Sequence, residues 1–314
     1  MDIILGIIVV ILILAMFLVR ETWVFRVTDY VYRTPKVEES FKVAVLADLH
    51  GKIYSGDNEK LYRAIAKASP DVVICAGDMI TARWDAKFTG YFNDEEFFSE
   101  NKGYQEMIRL LAKLTKICPV YFGNGNHESR LYRRREKFGS AYEEFCLTLR
   151  HIGVHLLSNK HEEILVNDTP VCIYGLDIER DYYKRVEKIV MDPAYVTSKL
   201  GKAEDNNPGI NLLIAHNPEY FEAYTAWGAD LTFSGHLHGG MVRIPGIGGL
   251  LSPQLRFFPK YSGGIYYDKK GRAEIVSKGI GAHGIDIRVF NRAEVVMVNI
   301  ERQKYGNSRE TAGL

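Results

Sequence analysis

The stretch KVAVLADLHG, Lys42–Gly51, decides how this 314-residue chain is read. Its apolar run Val43–Ala47 stops on Asp48, Leu49 and His50 and then turns at a glycine. An apolar run of four to eight residues bounded by turn residues is a buried strand, so Asp48 and His50 are predicted at its carboxyl end. Four more runs stop in the same way. They are VVICAG before Asp78, VYFGNG before Asn126, His127 and Glu128, NLLIA before His216, and LTFSG before His236, Leu237 and His238. Five strand ends carrying metal-capable side chains can converge on one rim.

Between these runs, Asp57–Ser69 and about Gln105–Lys116 have helical periodicity, and TDYVYRTPKV is an extended segment. The first half therefore alternates strand and helix, as a parallel sheet requires. In the second half VCIYGL, NLLIA and LTFSG are followed by short glycine-rich segments, which predict antiparallel strands and hairpins. The fold class is α/β, with two sheets packed face to face and helices outside. No linker divides residues 25–301, and residues 302–314 form a polar tail.

The first 24 residues read as a membrane anchor with its interfacial flank. Ile3–Val19 is free of charge and proline, and as a helix it would span roughly 26 Å against a hydrocarbon core of about 30 Å. Only Asp2 precedes the run and no small-x-small cleavage site follows, so an uncleaved single-pass transmembrane helix is expected. Trp23 and Phe25 suit an interfacial belt. Arg20, Arg26, Arg33 and Lys36 load the carboxyl flank with positive charge, which predicts a domain on the cytoplasmic side of the cell membrane.

Composition narrows the partners. Forty Lys and Arg balance 39 Asp and Glu, so no overall field would recruit a nucleic-acid polymer. No obligate protein partner is indicated. Cys75, Cys118, Cys146 and Cys172 are scattered without CxxC spacing, and neither a thiolate site nor a disulfide framework is expected.

The seven candidate ligands divide into two sets. Asp48, His50 and His238 complete one shell, Asn126, His216 and His236 the other, and Asp78 bridges because a carboxylate has two oxygens. Two divalent ions so placed can clamp a phosphoryl group and lower the pKa of a bridging water to give hydroxide near neutral pH. Imidazole with carboxylate and amide oxygen suits manganese, iron or zinc. His127 follows a ligand without being one. It is the candidate acid for the leaving oxygen, with Glu128 orienting its ring. Asn124 is a second amide in GNGNHE, though adjacency to His127 favours Asn126. His151, His155, His161 and His283 have no comparable setting.

The order D-x-H, GD, GNHE, H, GHLHGG resembles that of the calcineurin-like metallophosphoesterase family over about residues 41–300. AHNPEYF, SGHLHGGMVRIPGIGGLLSP and GIGAHGIDIRVFNRAEV are similar to motifs of its membrane-anchored bacterial branch. The resemblance implies a four-layer αββα sandwich of two mixed sheets flanked by helices. It also implies a binuclear centre at the strand ends and hydrolysis of phosphomonoesters or phosphodiesters. Residue by residue, it puts the ligand role on Asp48, His50, Asp78, Asn126, His216, His236 and His238, and the acid role on His127. Glu128 departs from the aspartate of many relatives.

The resulting expectation is a phosphodiesterase acting on a lipid-linked or nucleotide-linked phosphoester. The alternatives are a phosphoprotein phosphatase and a non-catalytic, membrane-tethered interaction module. For the substrate, Trp84 in the aromatic segment after Asp78 suggests an apolar lid or groove, with a loop packing its own aromatics as the plain alternative. Arg130 and Arg133 in the basic run after Glu128, and the late Arg288, are candidates for phosphate contact, with a solvated helix face as the plain alternative for the run.

Overall fold

In a computed structural model of the chain, the described residues are 2–82, 101–184, 189–203, 209–240, 242–244, 246–251, 257–281 and 288–303; the side chains of 2–4, 8 and 10–15 lie outside the description. The first sheet runs β1 (Arg26–Thr34), β14 (Glu294–Arg302), β2 (Phe41–Leu46), β3 (Val72–Cys75), β4 (Val120–Phe122) and β5 (Val154–Leu156). Only its β14–β2 pairing is antiparallel. The second runs β12 (Gly264–Tyr267), β13 (Ala273–Val276), β9 (Leu231–Ser234), β8 (Ile210–Ala215), β7 (Thr169–Leu176) and β6 (Lys160–Val166). Its two outer pairings are antiparallel and its three inner ones parallel.

Period-two alternation packs the layers. Val43 and Val45 of β2, Val72 and Ile74 of β3, and Tyr121 of β4 meet Ile173, Leu212, Ile214 and Phe233 of the second sheet in a shared core. The intervening Ala44, Leu46, Val73, Cys75 and Phe122 face outward onto α2 (Glu59–Ala68), α3 (Lys102–Leu114) and α6 (Ala141–His151). On the far side Tyr174, Leu176, Leu213 and Ala215 pack against α7 (Pro193–Leu200) and α8 (Phe221–Trp227). Each buried Val, Leu or Ile contributes about 1.5–3 kcal/mol, so both faces of the central strands hold the strand ends in place.

The glycine-rich segments form the expected antiparallel pairs, β10 (Arg243–Ile244) with β11 (Gly248–Gly249) and β12 with β13, whereas the inner strands of the second sheet are parallel, because α7 and α8 return the chain across its outer face. The continuous apolar character of NLLIA is that of a strand covered on both faces. Glu294–Arg302, from the end of the second half, crosses back as β14 between β1 and β2 of the first sheet. β14 also continues through Glu301 and Arg302.

Three further helices and a small hairpin complete the described elements. α1 (Asp2–Trp23) has 22 residues, α4 (Asn126–Arg133) and α5 (Arg135–Phe138) follow β4, and β10 (Arg243–Ile244) pairs with β11 (Gly248–Gly249). Among the described residues no helix is long and apolar enough to cross a membrane. Trp84 and the aromatic segment around it, His283, and the tail from 304 onward lie outside the described residues.

Candidate metal centre

Beyond the ends of β2, β3, β4, β8 and β9 the chain turns sharply, and the turns carry the candidate ligands. Asp48, His50, Asp78, His236 and His238 have φ of 52°, 48°, 53°, 69° and 50°. Left-handed conformations are uncommon away from glycine and concentrate at sites where surrounding structure enforces them. Here the enforcement is backbone pairing across the two inner strand ends: Asp48 N–H donates to Gly77 O (3.0 Å) and His50 N–H to Asp78 O (3.1 Å).

The acidic and imidazole side chains converge in overlapping groups, one of which joins His50, Asp78 and His127. One ligand atom from each of Asp48, His50 and His238 lies within 4.8 Å of the others, and the same holds for Asp78, His216 and His236. Asp78 reaches both sets, with Oδ2 3.2 Å from His216 Nε2 and 3.9 Å from His50 Nε2. His50 and His238 stack with ring planes 12° apart and their Nε2 atoms 3.1 Å from each other.

Three observations test whether cations fit. His216 Nδ1 lies 2.7 Å from Ala76 O, a pure acceptor, so that nitrogen carries the hydrogen. In the neutral ring, Nε2 would then turn its lone pair on Asp78. Burial lowers the basicity of this ring, but Asp78 more than offsets it and raises the pKa to about 10. A cation between the two atoms can take the place of that proton. Secondly, among the described residues Asn126 Oδ1 is buried with no hydrogen-bond partner. Thirdly, burial pushes Asp48 up to about 7 while the imidazoles of His216, His127 and His50 overcome burial and hold Asp78 well below the usual carboxylate range. Two carboxylates and several neutral imidazoles with no thiolate are a donor set for two divalent ions.

Backbone N–H groups steady both carboxylates, one from the second sheet and one from the first. Asp48 accepts the His236 N–H on both carboxylate oxygens (3.1 and 3.0 Å), and Asp78 Oδ1 accepts the His127 N–H at 2.8 Å. There is no room for larger residues beside them. A Cβ on Gly235 would lie 2.4 Å from Asp48 Oδ2, and one on Gly125 2.3 Å from Asp78 Oδ1.

His127 is buried at the edge of this group, its ring centroid 4.9 Å from that of His50. Its Nδ1 accepts the Ala82 N–H at 3.0 Å, which puts the proton of the neutral ring on Nε2. Glu128, expected to orient that ring, has another part. Its carboxylate accepts the N–H groups of Gly125 (2.9 Å), Asp78 (2.9 Å) and Ile80 (3.1 Å). It therefore ties the Asp78 loop to the start of α4, and burial followed by the Asp78 charge pushes its carboxyl up to about 7.

The candidate substrate residues fare differently. Arg130 donates to Ala82 O (2.7 Å) and Arg133 to Ile178 O (2.6 Å), so both lie beside segments that adjoin the centre. Arg288 is buried, and its guanidinium donates to Lys278 O (2.9 Å), Gly279 O (3.2 Å), Asn291 O (3.2 Å) and Gly281 O. Its place is to brace residues 278–281, where Gly281 N–H holds Asp48 O at 2.7 Å, and this corrects the expected phosphate contact. Asn124 donates to Tyr142 Oη (2.7 Å) and Asp177 Oδ2 (3.2 Å), while among the described residues its Oδ1, like that of Asn126, is buried without a hydrogen-bond partner.

Sequence reasoning missed two neighbours. Tyr183 packs edge-on against His236, with centroids 4.9 Å apart, from a short turn that has no motif. Asn291 donates to His238 O (2.6 Å) and Gly240 O (2.5 Å). It lies in the quoted stretch VFNRAEV, which was the available signal. A separate trio, His161, Glu163 and Cys172, lies on the outer strands β6 and β7, away from this centre.

Comparison with known proteins agrees with this geometry. The profile described as calcineurin-like phosphoesterase matches residues 41–240. The Bacillus subtilis (strain 168) uncharacterized metallophosphoesterase YkoQ is 26% identical over 256 residues, covering 81% of this chain and 82% of that protein. The Escherichia coli (strain K12) phosphodiesterase YaeI is 25% identical, covering 68% and 66%. A Bos taurus transmembrane protein with metallophosphoesterase domain is 24% identical, covering 86% of this chain and 55% of that longer protein.

Proposed function

This chain belongs to the calcineurin-like phosphoesterase family and is a hydrolase acting on phosphoester bonds, and from that premise we propose that it cleaves phosphodiesters of a lipid-linked or nucleotide-linked substrate. The observation that carries this reading is the pair of ligand sets sharing Asp78, with the protonated Nε2 of His127 beside them. Asp48, His50 and His238 would hold one divalent ion, Asn126, His216 and His236 the other, and Asp78 both. Two ions of manganese, iron or zinc supply charge neutralisation for the phosphoryl oxygens and a water of lowered pKa when bound.

The residues then divide the work. Asp48 and Asp78 are held by backbone N–H groups, so they reach the reaction already oriented. His127 Nε2–H donates its proton to the leaving oxygen, and the Ala82 N–H fixes the tautomer that makes this possible. Glu128 is a positioning residue that keeps Asp78 and the start of α4 in register. Arg130 and Arg133 supply positive charge at the rim for a second phosphate substituent.

The anchor belongs to the same reading. The uncharged run Ile3–Val19 of the sequence supports a membrane span, although among the described residues no helix is long and apolar enough to cross a membrane, and the basic carboxyl flank supports a cytoplasmic domain. The printed name of the Bos taurus relative is consistent with it.

The test is turnover by the purified, manganese-loaded full chain on bis(p-nitrophenyl) phosphate, p-nitrophenyl phosphate and a phosphopeptide panel. Diester turnover that falls in Asp78→Asn and His127→Ala is the expected result. Preference for phosphopeptides would replace the substrate class. No turnover on any panel with less than one bound metal per chain would remove the catalytic reading.

A further inference from the structure

The exposed phenylalanines of the domain lie on the β10–β11 segment and on the loop that packs on α1. Among the described residues every exposed phenylalanine lies in this region: Phe257 is 71% exposed, Phe258 57% and Phe290 55%, and Ile247 at the tip of the β10–β11 hairpin is 68% exposed. Three such rings left exposed on two segments bridged by Val242 and Val289 are out of keeping with a purely aqueous surface. Phe258 and Phe290 also have φ of 49° and 51°. For a bulky residue that conformation is an outlier, and the fold maintains it twice while leaving both side chains more than half exposed.

Hydrogen bonds join these segments to one another and to α1. Val242 bridges Val289, Arg243 N–H donates to Val289 O (3.0 Å), and Phe258 N–H donates to Leu250 O (3.0 Å). Phe290 packs on Phe17 of α1 with centroids 5.0 Å apart. Arg292 donates to Glu21 Oε1 from Nε (3.0 Å) and Nη2 (2.6 Å), and the Arg288 N–H donates to Thr22 Oγ1 at 3.2 Å. The helix end is therefore docked onto the domain and not joined by a free linker.

The level of that docking is informative. Phe17 precedes Trp23 by six residues, about 9 Å along a helix axis. If Trp23 marks the interface, Phe290 lies about one headgroup layer beneath it, the depth at which amphipathic elements rest. Lys52 Nζ covers the Trp23 ring at 4.5 Å and donates to Thr22 O, and Arg20 lies in the last turn of α1. Cations at this level suit anionic headgroups.

We propose that Ile247, Phe257, Phe258 and Phe290 form a second membrane contact, inserted into the headgroup region beside α1, that holds the His238 side of the metal centre at the bilayer surface. The occupant is an anionic lipid bilayer, and the proposal rests on the membrane span inferred above. The link to the centre is short. Asn291, next to Phe290, bonds His238 O and Gly240 O, and Gly240 lies three residues before β10. A phosphoester carried by a lipid would meet the metal ligands without leaving the interface.

Full-length chain in vesicles of phosphatidylcholine and phosphatidylglycerol tests this. In a Cys146→Ser background, Ile247→Cys and Phe258→Cys are labelled with an environment-sensitive fluorophore. Leu165→Cys, exposed on β6, is the control. Probes at 247 and 258 quenched by spin-labelled lipid, with the probe at 165 quenched only by aqueous iodide, is the expected result. A chain that floats with the vesicles while all three probes remain open to iodide overturns the second contact and leaves the anchor standing. Failure to float overturns both. As an independent readout, Phe257→Asp with Phe258→Asp should lower turnover of a vesicle-borne phosphoester about tenfold and leave that of a soluble nitrophenyl ester unchanged. Equal loss on both substrates would also overturn the proposal.

Discussion

The first sheet brings both carboxylates to the centre, and the second brings only imidazoles. Asp48 and Asp78 follow β2 and β3, whereas His216, His236 and His238 follow β8 and β9. The two supports differ in kind. The carboxylates accept backbone N–H groups, from His236 for Asp48 and from His127 for Asp78, while the His216 ring donates to a carbonyl of the opposite sheet. Charge and reactivity are thus concentrated on one sheet, and the other supplies neutral donors that complete the shells. Neither half can form the centre alone, because each orients the other's ligands.

The largest effect should come from the carboxylate shared by both sets. Asp78→Asn removes the carboxylate that lies nearest His216 (3.2 Å) and also reaches His50 (3.9 Å), and a loss on the order of 10⁴-fold in kcat/KM is expected, with bound metal falling below one ion per chain. Metal analysis of the same preparation decides the cause; full occupancy with low turnover would mean that the bridge is not structural. His127→Ala comes next, at about 10²-fold in kcat, with both metals retained. If Nε2–H protonates the leaving group, the loss should be greatest for an alkoxide leaving group and shrink for nitrophenolate. A uniform loss across leaving groups would make His127 a charge stabiliser.

The difference between the halves also explains what the sequence disclosed. A ligand at a strand end can be read because apolar alternation places the strand and side-chain chemistry does the rest, which is why all seven candidate ligands lie on one rim. Contacts of side chains with distant backbone left no such trace. Glu128 clamps Asp78 and Ile80 from 50 and 48 residues away, and Arg288 braces carbonyls in residues 278–291, yet neither bond has a residue pattern to announce it. Tyr183 reaches His236 from a turn without a motif. The parallel direction of the second sheet's inner strands was equally hidden, since an apolar run gives a strand its burial but not its direction.

Glu128→Gln sharpens the comparison on the carboxylate side. The amide oxygen can still accept from one or two of the three N–H groups, but its NH₂ then faces a donor. A stability loss of about 1–3 kcal/mol is expected, with turnover reduced about tenfold and the leaving-group dependence unchanged. Thermal unfolding and kinetics on one preparation separate it from His127→Ala, which should change the leaving-group dependence with little effect on unfolding.

The smallest effect is expected on the imidazole side, beneath the strand ends. Ser234 Oγ lies 2.6 Å from both Ala215 O and Glu274 Oε1. One hydroxyl proton cannot serve two acceptors, so Glu274 is protonated and donates to Ser234, which donates to Ala215 just before His216. Burial pushes the Glu274 carboxyl well above its ordinary value, in agreement with that count of protons. Its contribution to stability is complete below the unfolded carboxyl pKa of about 4.3 and is lost as pH rises toward the folded value, because only the unfolded chain ionises over that interval. Glu274→Gln keeps a donor to Ser234 and removes the titration. Its unfolding temperature relative to the parent should therefore climb from about pH 5 to about pH 8, by about 2–4 °C for each kcal/mol recovered. A difference that stays constant with pH would show the carboxyl to be ionised in the fold, and Ser234 would then donate to Glu274 and leave Ala215 O without that hydrogen bond.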